Sequence, residues 1–212
     1  MKSHTPQGQQ RRKREEEALA KSLTKAGILF DREVSIDFSC GLGNDRAKKS
    51  ARVDFVVQRP CPSGVITFYI EVDEREHSDD AYLLSCECRR MMDVHSSVLT
   101  SETSTSHAVW LRFNPHAFRV DGMLQKVPKP VRYQQLHQII QTYEPHLLFE
   151  IWYLCYTMET QGERVYPIIF NDPQFPDAMK SFAYAVPPLP LHRPTSDDPK
   201  PWMSNPDGHL AT

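Results

Sequence analysis

The sequence predicts an α/β fold with a mixed central β-sheet flanked by helices, and three observations predict it. Apolar and polar residues alternate in segments between residues 28 and 73, the pattern of strands that bury one face. Residues 10–25 and 79–95 instead space their apolar side chains at helical intervals. The order along the chain is helix, three strands, helix, strand, helix, which sets helices against a single sheet.

Residues 1–9 are polar and expected to be disordered. In "QQRRKREEEALAKSLTKAG" strong helix formers surround Leu19 and Leu23, and Gly27 supplies the stop. "ILFDREVSIDFSC" alternates Phe30, Val34, Ile36 and Phe38 with polar neighbours, and "GLGNDRAKKS" is a turn-rich connection. "ARVDFVV" and "GVITFYIEVD" are separated by "QRPCPSG", whose prolines and glycine predict an antiparallel hairpin. "DDAYLLSCECRRMMDVH" opens with aspartates that suit a helix N-terminus. "SHAVWLRFNP" is an apolar strand interrupted by Arg112 and ended by Asn114 and Pro115. After a loop, "PVRYQQLHQIIQTYEP" reads as a helix bracketed by prolines. "HLLFEIWYLCYTM" and "RVYPIIF" read as two strands, and "DPQFPDAMKSFAYA" as a final short helix. The expected organisation is one domain over 10–185, with a core at 10–118 and an extension over 119–185. A proline-rich flexible tail at 186–212 follows it.

At 212 residues, 40% of them hydrophobic, the chain is long enough for one domain with a substantial core. No run approaches the roughly 18 apolar residues that span a bilayer, and "MKSHTPQGQQRRKREEE" lacks the apolar segment of a secretory signal. The expectation is a protein that is not secreted, cytoplasmic or nuclear, with no membrane partner. Five irregularly spaced cysteines fit reduced thiols. Cys86 and Cys88 form a C-x-C pair without a second pair at zinc-finger distance. The net charge of -2 leaves room for a basic face.

The chemistry concentrates in "FYIEVDEREH", residues 68–77, a hydrophobic strand that ends in carboxylates and a histidine. Residues i and i+2 of a strand share a face, so Glu71 and Asp73 point the same way. If the hairpin pairs as its turn predicts, Asp54 of the preceding strand lies across from Glu71 or Asp73. Converging carboxylates repel, and the arrangement is stable when a cation sits among them or bulk water bathes them. Hard oxygen donors suit Mg²⁺ or Mn²⁺, and such an ion beside a phosphate is the basis of phosphodiester hydrolysis. The bland alternative is a solvated loop start, with His77 as a surface residue.

The series "RVDFVV", "YIEVDEREH", "CECRRMMDV" and "VWLRFNP" resembles the P-D-(D/E)-x-K nuclease superfamily, in the branch similar to very-short-patch-repair endonucleases and related viral and phage proteins. The resemblance covers roughly residues 10–118 and implies a restriction-endonuclease-like core with Mg²⁺ or Mn²⁺ as cofactor and DNA as substrate. It implies Asp54 and Glu71 as metal ligands, with Val53 where the family has proline. Asp73 falls where the superfamily usually has lysine and would be a further ligand. His77 would then be the general base or the residue that positions water. Glu16, or its neighbours Glu15 and Glu17, would be the helix glutamate that some members keep near the metal.

Arg89 and Arg90 on the following helix, and Arg112 with Asn114 in "LRFNP", are candidate phosphate contacts, arginine being suited to bidentate hydrogen bonding of phosphate oxygens. "RRKR" at 11–14 and "RAKK" at 46–49 are candidate DNA-backbone contacts. Trp110 and Trp152 read as core. The expected function is a metal-dependent endonuclease acting on DNA, as a homodimer if both strands are cut. Two alternatives stand beside it: an inactive domain of the same fold that binds nucleic acid or protein, and an adaptor whose "VPPLPLHRP" tail docks on a partner.

Overall fold

Strand β3 (Gly64–Val72) is the pivot of the architecture, antiparallel to the strand before it and parallel to the strand after it. The computed structural model describes residues 6–40, 47–73, 84–100, 105–162 and 164–185. Helix α1 (Pro6–Lys25) leads into β1 (Asp31–Cys40) and β2 (Ala47–Cys61), an antiparallel pair that β3 extends through the tight turn at Pro62–Ser63. Helix α2 (Leu84–Thr100) carries the chain to β4 (Thr105–Phe113), which lies parallel to β3. Further along, β5 (Phe118–Val120), β6 (Met123–Gln125), α3 (Lys129–Thr142), β7 (Phe149–Leu154), β8 (Met158–Gln161) and β9 (Arg164–Pro167) follow. A 3-10 turn (Ile168–Asn171), the single-turn α4 (Asp177–Lys180) and β10 (Ala183–Ala185) complete the described chain.

Six strands form one mixed sheet in the order β1-β2-β3-β4-β7-β10, and β6-β5-β8-β9 form a smaller one. The α/β class with a mixed sheet is therefore as predicted. Helices α1 and α3 cover one face of the main sheet. There Leu19, Leu23, Leu136 and Ile140 meet Phe55, Phe68, Leu111 and Phe113. Helix α2 covers the other face, where Leu84, Cys88, Met91 and Val94 recur at helical spacing against Val53, Trp110 and Tyr153. The two helices on the first face are also tied by Ser22 to His137 at 3.2 Å and by a Glu15–Lys129 ion pair.

Several elements differ from expectation for identifiable reasons. Helix α1 starts at Pro6, so residues 6–9, expected to be disordered, are helical; proline is well tolerated in a first helical turn. Helix α2, expected over 79–95, runs on to Thr100, and residues 79–83 of that expectation fall outside the described residues. The long strand expected over 146–158 ends at Leu154, because Cys155 takes a left-handed φ of 62° and sends β8 into the second sheet. "RVYPIIF" is strand only to Pro167, where the missing N–H ends the ladder and a 3-10 turn begins. The last expected helix is one turn, and its remainder is β10, which pairs parallel to β7. The second sheet arises partly from a segment read as loop, where Asp121 and Gly122, both at positive φ, turn β5 into β6. The 186–212 tail lies outside the described residues.

Glu150, 1% exposed, shows how a buried charge is accommodated here. It accepts from the backbone N–H groups of His146 and Leu147, the Tyr143 hydroxyl and the Trp152 indole at 2.6–3.0 Å. Among the described residues no helix is long and apolar enough to cross a membrane.

Leu111 is fully buried at the centre of the sheet, so Leu111→Ala is expected to cost about 3 kcal/mol in urea unfolding. Leu29→Ala, at a position 89% exposed, should stay within about 0.5 kcal/mol of the parent.

Candidate active site

Asp54 stands where strand β2 changes its packing. Val53 belongs to the cluster under α2, whereas Phe55, two residues on, belongs to the cluster under α1 and α3. Strict alternation would put both on one face, so the phase of the strand slips at Asp54. Across on β1, Glu33 sits between the paired positions Arg32–Phe55 and Val34–Val53 with a φ of 51°, a left-handed conformation uncommon for a non-glycine residue. The β2–β3 ladder ends at the Phe55–Ile70 pair, and Asp54 replaces the next rung with its side chain. Its Oδ2 accepts the Val72 N–H at 2.8 Å. Continuing the register sets Asp54 opposite Glu71, the first of the two partners the sequence left open.

Glu71 and Asp73 share the α2 face as predicted, but they make different contacts. Glu71 Oε1 accepts from Arg90 Nη2 at 2.8 Å. Asp73 is 1% exposed and grips the Arg112 guanidinium with both oxygens, at 2.5 Å from Nε and 2.9 Å from Nη2. The Tyr156 hydroxyl donates to the same carboxylate. Arg112 Nη1 then reaches Glu87 Oε1 at 2.5 Å, and Arg90 donates to that oxygen as well. Glu87 thereby bridges the two arginines. Arg90 also donates from Nη1 to the Arg52 carbonyl at 2.8 Å and lies 5.6 Å over the Trp110 ring.

These contacts create an electrostatic imbalance. Four carboxylates, those of Asp54, Glu71, Asp73 and Glu87, face two guanidiniums, those of Arg90 and Arg112. Fully ionised, the group would hold two surplus negative charges in a place with little water. Burial raises the Glu71 pKa to about 8, outweighing the opposing pull of Arg90 and Arg112. Burial also raises Asp54, against the lowering effect of the Val72 N–H. Glu87 goes the other way: burial pushes it up, but Arg112 and Arg90 hold it at about 2.

The helix glutamates, left open by periodicity, are now distinguishable. Glu15 pairs with Lys129 and Glu17 with Arg32 at 2.8 Å. Glu16 is the one beside the cluster; burial and then the charges of Asp54 and Glu33 raise it to about 7. Arg89 is exposed, 4.0 Å from Asp93. Asn114 is fully buried; its Nδ2 donates to the Cys155 carbonyl at 2.9 Å and its Oδ1 accepts the His116 N–H at 2.9 Å. It joins the ends of β4 and β7 and faces no solvent. Arg112, 3% exposed, is likewise committed within the fold. His77 lies outside the described residues, as do Arg46 and the side chains of residues 11–13, 48 and 49. Trp110 is core, and Trp152 stacks on Tyr184 with ring centroids 5.6 Å apart.

Glu87 and Tyr156 are the participants that sequence reasoning missed. Glu87 lies inside the C-x-C pair, where Cys86 is exposed and Cys88 buried, so the two thiols take different sides of α2. Among the described residues no three His, Cys, Asp or Glu side chains group as a ready-made metal site. Arginines stand among the acids, and the oxygens of Asp73 are turned to Arg112 and Tyr156. Asp54 Oδ1 and Glu71 Oε2 remain without a hydrogen-bond partner among the described residues. They are two hard oxygens on opposed strand positions, and Mg²⁺ commonly takes one or two protein carboxylates with water completing its shell. The donor set therefore fits such an ion.

Arg112→Met strands Asp73 without its ionic partner, and urea unfolding is expected to register a loss of about 3–5 kcal/mol. The double change Arg112→Met with Asp73→Asn should lose clearly less than the two single losses combined. Glu71 gives a pH signature. Between its ordinary value of 4.5 and about 8 the folded chain keeps a proton that the unfolded chain has released. This contribution to stability is complete below 4.5 and fades as pH rises through 8. In EDTA, Glu71→Gln should flatten the decline in thermal stability over that range, leaving the decline due to Glu16 and Asp54; an unaltered slope would contradict the assignment.

Comparison with protein-family models, with curated proteins and with solved structures found no match, so the reading of this cluster rests on its own geometry.

Proposed function

We propose that the chain is a divalent-metal-dependent endonuclease with a restriction-endonuclease-like core, hydrolysing phosphodiester bonds of DNA with Mg²⁺ or Mn²⁺. The observation that carries the proposal is that Asp54 and Glu71 face each other from opposed strand positions in a cluster where four carboxylates meet two guanidiniums, so that their full ionisation calls for the charge one divalent cation supplies. The element order supports it as well: a helix, the strand with Asp54, the strand with Glu71, a helix with basic residues and a further strand follow one another as the resemblance implies.

In this reading Asp54 Oδ1 and Glu71 Oε2 would hold the ion. Bound there, it would polarise the scissile phosphate, acidify water and offset charge on the leaving oxygen. Glu16, the helix glutamate beside the cluster, would take the proton that the attacking water loses as the bond from phosphorus to the leaving oxygen breaks. His77 is the second candidate for that proton. Asp73, Arg112, Glu87 and Tyr156 would act as the brace that fixes the ends of β3 and β4, and Arg89 would meet DNA phosphates from the exposed side of α2. Two copies would be required to cut both strands in one event.

A second reading is favoured by one observation: Arg90 already neutralises Glu71 and Arg112 already neutralises Asp73, as in a domain that binds nucleic acid without cutting it. Incubation with plasmid and single-stranded DNA in Mg²⁺, Mn²⁺ or EDTA separates the two. Cleavage is expected in the metal reactions, with Asp54→Asn and Glu71→Gln lowering it by at least ~100-fold while circular dichroism stays unchanged. DNA binding that is indifferent to EDTA, with no cleavage under any condition, selects the second reading.

A further inference from the structure

Arg90 connects the candidate metal ligand Glu71 to the rest of the fold, and its hydrogen bonds divide into two groups. One group holds it in place. Nε and Nη2 donate to Glu87 Oε1, with Nε at 3.0 Å; Nη1 donates to the Arg52 carbonyl at 2.8 Å; and Cζ lies 5.6 Å from the centroid of the Trp110 ring. The other group is a single contact, Nη2 to Glu71 Oε1 at 2.8 Å. A guanidinium has five N–H donors, two on each Nη. Losing Glu71 would therefore leave Arg90 anchored by Glu87, Arg52 and Trp110, with one N–H on Nη1 and one on Nη2 uncommitted among the described residues. That pair forms the forked edge that matches two oxygens of a phosphate.

We propose that Arg90 is a latch that occupies Glu71 until a divalent cation claims the carboxylate, and then offers its Nη1–Nη2 edge to a substrate phosphate. The inference rests on the metal site at Asp54 and Glu71 proposed above and adds a coupling to it. A cation at Glu71 repels the guanidinium and competes for the same carboxylate. A phosphate attracts both positive groups. Binding of cation and phosphate is then mutually reinforcing, and the reinforcement is reciprocal by thermodynamic necessity. The latch also gives Glu71 Oε1 a hydrogen-bond donor while no cation is bound.

The test titrates Mn²⁺ by calorimetry, with and without thymidine 5′-monophosphate as an uncleavable phosphate probe. In the parent protein the nucleotide should tighten Mn²⁺ about tenfold. In Arg90→Gln, Mn²⁺ should bind more tightly than to the parent when no nucleotide is present, and the nucleotide should then have no effect. A second arm uses EDTA and needs no metal. There Glu71→Ala, which removes the acceptor of the Arg90 Nη2 bond, should bind the nucleotide several-fold more tightly than the parent, because Arg90 is released, and Glu71→Ala combined with Arg90→Gln should lose the gain. Mn²⁺ binding with the same nucleotide coupling in parent and Arg90→Gln overturns the latch and leaves the metal site standing. A gain in Glu71→Ala that survives removal of Arg90 also overturns it. Absence of Mn²⁺ binding to the parent overturns the metal site and the latch together.

Discussion

The ends of β3 and β4 are organised by one constraint: acidic side chains outnumber the guanidiniums that face them in a place largely shielded from water. Charge in such surroundings must be matched closely, because desolvation costs several kcal/mol per unpaired ion. Asp73 and Glu87 meet the requirement with Arg112 and Arg90, and Tyr156 adds a hydroxyl. Glu71 and Asp54 satisfy it only in part, and a proton or a cation must supply the rest. A carboxylate pair left short of compensation next to a well-braced pair is a division of labour in which one half fixes geometry and the other half stays available.

The backbone around Asp54 serves the same division. A strand of 15 residues that kept strict alternation would bury Val53 and Phe55 against the same helices. Instead the phase slips, Glu33 adopts a left-handed conformation opposite, and the Asp54 side chain takes over a rung of the ladder. Local distortion of this kind recurs where a side chain must be aimed at a particular point. Asparagine at position 54 could still accept the Val72 N–H while carrying no charge, which separates the structural role of the residue from its electrostatic one.

Much of this was legible in the residues themselves. The prolines and glycine between the two strands predict the hairpin, which brings Asp54 across from Glu71 or Asp73, and the observed register decides for Glu71. The resemblance supplied the helix glutamate but not which of three, since consecutive helix positions differ only by rotation, and packing of α1 on α3 decides that rotation. Glu87 was illegible because a charged residue on an amphipathic helix reads as solvent-facing, and only the arginines from α2 and β4 make it a buried bridge. Tyr156 meets Asp73 across 83 positions of sequence, a separation that no local pattern spans. Strands β5, β6 and β10 are three residues each, too short for a period of two to register.

The change of direction at β3 has a bearing on how such a molecule could diversify. Because β3, β4 and β7 run parallel, the connections that follow all three leave from the same rim of the sheet, beside the acidic pair. Segments of this kind tolerate lengthening far better than the strands they join. Under the proposed nuclease reading, new surface for choosing one target over another can be grafted around an unchanged set of oxygens, so that selectivity and chemistry would evolve on separate parts of the chain.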